Sequence, residues 1–324
     1  MRVLTCGCIC AAALLQMHAI SIRAAETMRA AVAVDGSVHV ESVPKPEPQT
    51  GQVRILVRAA SVNPVDWKLA ARATAGSRQV PGRDLSGIID AVGPDADRWR
   101  PGDAVIAVAS GGSYAEYALA GVRAVASKPT NLSFVEAAGI PVVGETAWRA
   151  VVTVADVQKG QRVLIQGGAG GVGSSAVQVA KARGAYVIAT ASPNHSAFLQ
   201  SLGADEFIDY HAPRYEDRVK NVDMVLNTVD AETGMRSMHV IRPGGILVSV
   251  VGPAPAEACT AAHIRCAVTG SVTGELLAPV VELANAGKFR VRIDEQLTLD
   301  DVAKAWQLSR EGHTAGKIVL EISH

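Results

Sequence analysis

The sequence predicts an α/β protein in two parts: a compact, β-rich domain of barrel type, followed by a doubly wound parallel sheet. Three observations carry this. Short β-branched runs separated by Pro and Gly fill the first third, at 53–62, 88–92, 104–108 and 114–119, the spacing of a small barrel. From Arg162 onward, strand-like apolar runs alternate with segments of helical period, which is how a helix-covered parallel sheet reads. The chain has 324 residues, 48% apolar and 19% charged, enough for two cores.

In chain order, residues 1–27 stand apart as a leader. Arg2 precedes a mostly apolar run from Val3 to Leu15, and Ala24 and Ala25 supply small residues before Glu26, which resembles a secretory signal. Gln16, His18 and Arg23 interrupt the pattern. The unbroken apolar stretch falls far short of the roughly 20 residues of a membrane span. The competing reading is a start at Met28, because 28–34 looks like a first strand flush with the chain. From 28 to 146 the β-rich domain follows, with Pro44, Pro46 and Pro48 keeping its first connection extended. Ser133 and Glu136 have the spacing of a capping box for a helix to Gly139, and 146–154 continues as helix into the second unit.

That unit, 147–286, is organised around 162–192. Val163, Leu164 and Ile165 form a run of the kind a strand buried on both faces shows, broken by Gly167-Gly168-Ala169-Gly170-Gly171-Val172-Gly173. Ala176, Val177, Val179 and Ala180 then recur at helical spacing, and 186–191 reads as a second strand. Gly168, Gly170 and Gly173 match G-x-G-x-x-G between a strand and a helix, the fingerprint of a dinucleotide-binding Rossmann unit. The helix N-terminus offers N–H groups to the pyrophosphate. An NAD site carries an acid about 20 residues beyond the glycines. Here no acid occurs between Ser174 and Ala204. Ser192, Asn194 and His195 instead supply donors for a 2'-phosphate, which favours NADP(H); the composition of Ser192-Pro193-Asn194 suits a turn as well.

Strands at 206–209, 224–228 and 246–251, helices at 198–202 and 234–241, and a sixth strand at 267–272 continue the alternation. A helix at 276–286 ends at Gly287. The remaining 287–324 reads as strand, helix and strand, packing back on the first domain. Formal net charge is zero and no Lys/Arg run exceeds two residues, so neither a nucleic-acid footprint nor a polybasic membrane patch is expected. The five cysteines show neither a C-x-x-C pair nor zinc spacing. Cys259 and Cys266 read as small buried side chains, and no disulfide or metal site is indicated.

Several motifs in one order are then specific enough to compare. Ala60-Ser61-Val62-Asn63-Pro64-Val65-Asp66-Trp67-Lys68, Pro81-Gly82-Arg83-Asp84-Leu85-Ser86-Gly87, Pro101-Gly102-Asp103, Gly144-Glu145-Thr146-Ala147-Trp148, the glycine loop, Leu202-Gly203-Ala204-Asp205 and Gly316-Lys317-Ile318-Val319-Leu320 resemble the medium-chain dehydrogenase/reductase superfamily. The branch they resemble is that of the zinc-independent quinone oxidoreductases and zeta-crystallin. The likeness runs from Met28 to Ile322. It implies a GroES-like catalytic domain beside the Rossmann domain, with the cleft between them.

It also implies roles. Asn63, Arg83 and Val142 stand where zinc-dependent relatives hold Cys, His and Cys, and none is a good zinc ligand. Reduction of an electrophilic small molecule, a quinone or an α,β-unsaturated carbonyl, stays open without a metal. The resemblance places Asn63 and Thr146 near the nicotinamide, and Val251 and Gly252 at its carboxamide. The loop Gly168, Gly170, Gly171, Val172 and Gly173 falls at the pyrophosphate, and Ser192, Asn194, His195 and Tyr210 at the 2'-phosphate. His195 replaces a more usual Lys or Arg, which makes that contact weaker or pH-dependent. Lys317 is a further candidate cofactor contact. The candidates for the reaction itself are Asn63, Asp66 and Tyr114. Asn63 before Pro64 also suits a turn, Asp66 a helix cap, and Tyr114 a core position. No proton donor is assigned. Family practice implies a homodimer. NADPH supply favours the cytoplasm and the leader favours export. An enoyl-thioester reductase and a non-catalytic NADPH-binding protein are the alternative functions.

Overall fold

The computed structural model describes residues 26–212, 215–312 and 314–323; of the leader only its last two residues fall among them, and Thr27 already opens the first strand. The first unit begins with an antiparallel hairpin, β1 (Thr27–Val34) and β2 (Ser37–Pro44). Its turn, Asp35-Gly36, has positive φ at both residues, the geometry that matches strand twist. β3 (Gln52–Val62), α1 (Pro64–Ala71), β4 (Asp84–Val92), β5 (Ala104–Val108), β6 (Tyr117–Gly121) and β7 (Val125–Ser127) follow. The strands form a curled sheet around β3, which pairs with β4 and β6. The expected strand at 114–119 starts later, because Ser113 and Tyr114 belong to a turn held by two N–H groups donating to Pro81 O.

α2 (Phe134–Ala138) carries the expected Ser133–Glu136 capping box. α3 (Pro141–Trp148) then runs without a break across residue 146 into a π-helical turn at Arg149–Val154. The second unit comprises β8 (Arg162–Gln166), α4 (Gly171–Ala182), β9 (Tyr186–Ala191), α5 (Ser196–Ser201), β10 (Glu206–Asp209), β11 (Val222–Asn227), α6 (Ala231–Arg236), β12 (Ile241–Ser249), α7 (Ala256–Ala261), β13 (Arg265–Val268) and α8 (Leu277–Asn285). Its strands are parallel in the order β10-β9-β8-β11-β12-β13, which is the doubly wound 3-2-1-4-5-6 arrangement. Burial on both faces explains the continuous apolar runs. Val163 and Ile165 of β8 join Val187, Met224, Leu226 and Val248 in one core, while Leu164 joins Ile188, Val225 and Leu247 in the other. β13 is shorter than the expected 267–272, and the chain leaves the sheet after Val268.

β14 (Ile293–Thr298), α9 (Val302–Glu311) and β15 (Lys317–Glu321) return to the first unit. β15 pairs antiparallel with β3 and parallel with β14. Leu299, Val302, Ala305, Trp306, Ile318 and Leu320 share one core with Val53, Ile55 and Val57. The sequence reading of Cys259 and Cys266 as separate thiols is corrected. They form a disulfide between α7 and β13, with Cα atoms 6.1 Å apart across a separation of 7 residues. The turn after α7 folds β13 back alongside it, a juxtaposition that spacing alone does not reveal.

Closing so short a loop restrains the unfolded chain by about 2 kcal/mol in chain-entropy accounting. Reduction is therefore expected to lower the urea midpoint of the intact protein by about that stability, and an unchanged midpoint after complete reduction would count against it.

Candidate active site

β8 ends at the buried Gln166, and the chain turns at Gly167, whose φ is +71°. The Gly168 N–H donates to Thr190 O at 2.8 Å, holding the loop against the end of β9. A Cβ on Gly173 would lie 2.1 Å from Gly167 O, so that glycine is what lets α4 sit on the loop. Gly170 differs: a Cβ there would meet only Gly167 O, at 3.5 Å. Packing does not require glycine at that position, but close approach of a pyrophosphate does. The first N–H groups of α4, from Gly171, Val172 and Gly173, have no intrahelical acceptor and carry the positive end of the helix dipole. The loop lies between β8 and β11, where the strand order reverses, the position of ligand crevices in open α/β sheets. The residues fit a dinucleotide.

The parallel pairing of β9 with β10 aligns Ala191 with Asp209, so Ser192, Asn194 and His195 leave the sheet beside Tyr210. Tyr210 is 49% exposed and stacks on His211 at 4.1 Å. Val251 and Gly252 follow β12 on the other side of the switch point, Gly252 with φ +140° and Val251 exposed. Thr146 is buried on α3, its hydroxyl donating to Val142 O at 2.7 Å.

Beside this edge lies a buried polar cluster in the first unit. Asp84 Oδ2 accepts from Ser61 Oγ at 2.7 Å and from Asn63 Nδ2 at 2.9 Å, and its Oδ1 accepts from Val142 N at 2.7 Å. Lys317 Nζ donates to Val62 O at 2.9 Å and to Asn63 Oδ1 at 2.5 Å, and stands 3.5 Å from Asp84 Oδ2. Both ends of the Asn63 amide are thereby engaged, which fixes its orientation. Asp66 is the N3 residue of α1 and accepts from Asn63 N at 2.8 Å and from Tyr114 Oη at 2.6 Å. Burial pushes the Asp66 carboxyl up to about 7, against the lowering effect of the Tyr114 and Asn63 hydrogen bonds. Burial also holds the Lys317 ammonium below its ordinary value, opposed by the charges of Asp84 and Asp66. Burial, reinforced by Asp66, raises the Tyr114 phenol.

Two of the sequence candidates are buried in this geometry. Lys317 is only 4% exposed. Its ammonium faces three oxygens within the cluster, while its stem passes the glycine loop, 3.1 Å from where a Gly171 Cβ would be. Tyr114 is fully buried and its hydroxyl faces Asp66, which is the core reading of that residue. At the three positions compared with zinc ligands, Asn63 has both amide ends occupied, Val142 offers only its backbone N–H, and Arg83 donates from Nη2 to Val272 O at 2.6 Å. This donor set does not fit zinc. Among the described residues, no group of three His, Cys, Asp or Glu side chains is placed to hold a metal ion.

Glu145 was not singled out from sequence. It is fully buried on α3, pairs with Arg149 at 2.7 Å, and accepts from Thr273 N at 2.9 Å and Gly274 N at 2.6 Å. It thus pins the loop that follows β13. A carboxylate within the apolar stretch Pro141–Trp148 was the available signal, since such a group stays buried only when paired.

Residues 49–130 match the alcohol dehydrogenase GroES-like domain, and residues 202–320 match a family described as zinc-binding dehydrogenase. The NAD(P)H oxidoreductase RTN4IP1, mitochondrial, of Danio rerio is 32% identical, covering 84% of this chain and 84% of that protein. The 2-methylene-furan-3-one reductase of Solanum lycopersicum is 35% identical, covering 88% of this chain and 76% of its own length. The solved quinone oxidoreductase of Coxiella burnetii superposes with a TM-score of 0.84 at 31% identity, over 92% of this chain and all of that one.

The buried Asp66 yields a pH prediction. With its folded pKa raised from 3.8 to about 7, the native state holds this proton more tightly than the unfolded chain does. The contribution is fully present below about pH 4 and is lost as pH rises through about 7, at roughly 1.4 kcal/mol per pKa unit. Urea denaturation from about pH 5 to about pH 8 should show falling stability, and Asp66→Asn should flatten that part of the slope. A slope identical in the variant would refute the assignment.

Proposed function

Because the chain belongs to the medium-chain dehydrogenase/reductase superfamily, in its quinone-oxidoreductase-like branch, we propose that it is a zinc-independent, NADPH-dependent reductase of quinones or α,β-unsaturated carbonyls. The chain is an oxidoreductase by kinship. The observation that carries the finer reading is the saturated hydrogen-bond cluster around Asn63, standing where a metal-ligand set would otherwise be. When bound, a reduced nicotinamide supplies a hydride to an acceptor already electron-poor enough to take it. The chain's own residues bind, orient and exclude water.

In this reading the N–H groups of Gly171, Val172 and Gly173 hold the pyrophosphate, and Gly168 and Gly170 leave room for it. Ser192, Asn194, His195 and Tyr210 bind the 2'-phosphate, and no carboxylate between Ser174 and Ala204 repels it. Thr146 and Asn63 flank the ring, with the backbone of Val251 and Gly252 at the carboxamide. Lys317 and Asp84 act as positioning residues, locking Asn63, while Asp66 and Tyr114 brace the turn beneath it. Solvent water supplies the proton that completes reduction. A homodimer is the assembly we expect by kinship. Among the described residues no helix is long and apolar enough to cross a membrane. For location, the signal-like leader and the Cys259–Cys266 disulfide favour an oxidising, exported compartment, whereas NADPH supply favours the cytoplasm; trapping thiols in intact cells distinguishes the two.

NADPH oxidation by the purified protein, followed optically with a panel of quinones and enones, tests the reading. Turnover with NADPH well above NADH is expected. His195→Ala should weaken NADPH about tenfold, the value of one charge-assisted hydrogen bond, and NADH far less. NADPH binding without turnover on any acceptor would make this a cofactor-binding protein, and equal use of NADH would remove the 2'-phosphate argument.

A further inference from the structure

Arg83 occupies one of the positions compared with zinc ligands, yet among the described residues the cation it brings has no counter-ion. The backbone beneath it is rigid. Gly82 has φ +96°, and a Cβ there would strike Ser113 Oγ and the Tyr114 ring at 2.4 Å. Pro81 O accepts from Ser113 N at 3.0 Å and Tyr114 N at 3.1 Å, and Arg83 O accepts from Ala109 N at 2.7 Å. The half-buried guanidinium crosses from the first unit to the loop after β13, where Nη2 donates to Val272 O at 2.6 Å. Glu145 fixes that loop from beneath.

One of five guanidinium N–H donors is thereby used. Among the described residues, no carboxylate pairs with Arg83. Its neighbour Asp84, the first residue of β4, is satisfied by Ser61, Asn63, Val142 and Lys317. Glu145 is taken by Arg149 and the backbone of Thr273 and Gly274. The positive charge of Lys317 is set against Asp84, so among the described residues the side chain of Arg83 adds an uncompensated charge at the join between the two units.

We propose that Arg83 determines acceptor specificity by binding a carboxylate on the acceptor, so that the preferred substrate is an α,β-unsaturated carbonyl compound that is also an acid. This rests on the hydride-transfer reading above and names the substrate class of the same site. The planar guanidinium matches a carboxylate through two parallel hydrogen bonds, and in a half-buried setting that pairing is screened less than on an open surface. A neutral acceptor offers Arg83 a single carbonyl oxygen, so acid and ester are separated by this residue.

The test compares 4-oxopent-2-enoate with its methyl ester as acceptors, using the full protein with NADPH, and separately titrates the saturated 4-oxopentanoate onto the protein by calorimetry. The acid is expected to exceed the ester at least tenfold in kcat/KM, chiefly through KM. Arg83→Gln should collapse that ratio towards one, and Arg83→Lys should retain part of it. The saturated acid should bind wild type at least tenfold more tightly than Arg83→Gln, with an unchanged thermal midpoint in the variant as evidence of folding. An equal acid-to-ester ratio in wild type and Arg83→Gln, or equal affinity for the saturated acid, overturns the proposal. If neither of these nor any quinone or enone of the panel above is reduced, the hydride-transfer reading fails, while the calorimetric comparison still decides the role of Arg83.

Discussion

Four parts of the chain meet on the carboxylate of Asp84. Ser61 comes from the end of β3, Asn63 from the turn into α1, Val142 from the start of α3 and Lys317 from the first position of β15. A carboxylate fully withdrawn from water is tolerated only when its lone pairs are satisfied, so these partners are held to one arrangement. α3 continues through the π-helical turn towards β8 and the glycine loop. The contact at Asp84 therefore sets the Asn63 turn, the C-terminal strand and the entry to the second unit relative to one another.

Around this point rigid and open features alternate. Below it, Tyr114 links the Gly82 turn to Asp66 and hence to Asn63. Above it, the stem of Lys317 runs past Gly171, so the N-terminal end of α4 and the Asn63 amide share one neighbour. Across the join, Arg83 and Glu145 hold the loop after β13 from two directions. Electrostatic preorganisation of this kind lets a site act without reorganising its own dipoles at the moment of reaction.

The sequence was most legible where the determinant was local. The glycine loop, the Ser133–Glu136 cap and the two-faced burial of Val163, Leu164 and Ile165 depend on residues within a few positions of each other, and the structure has them as read. The β1–β2 hairpin has a local signal in Asp35-Gly36 between alternating valines, although β2 has no fully buried residue. Three features were not legible. The disulfide needs the turn after α7 to be known, the burial of Lys317 needs three acceptors from distant segments, and the role of Glu145 needs the loop after β13 to arrive beside α3. The same pattern Gly316-Lys317 reads as a cofactor contact or an internal strut, and the internal contacts of Lys317 come from segments that the pattern does not contain.

The return of the C-terminal strand has a consequence for biosynthesis. The first unit includes Leu299, Trp306, Ile318 and Leu320 in its core, and the Ala59–Val62 part of its β3 edge stays unpaired until β15 arrives. At translation rates of about 5–20 residues per second, the stretch between β7 and β15 takes roughly 10–40 s to emerge. Throughout that interval the earliest-made unit is an incomplete sheet whose Asp84 has no lysine, while the later-made parallel sheet has all of its own strands as soon as β13 has emerged, well before Lys317. Nascent-chain folding thus runs against the order of the sequence: the second unit can close first, and the first must wait for the last few dozen residues. Any message cut short before Lys317 yields a product with an open sheet edge and an uncompensated buried acid, the features by which quality control distinguishes a failed chain from a finished one.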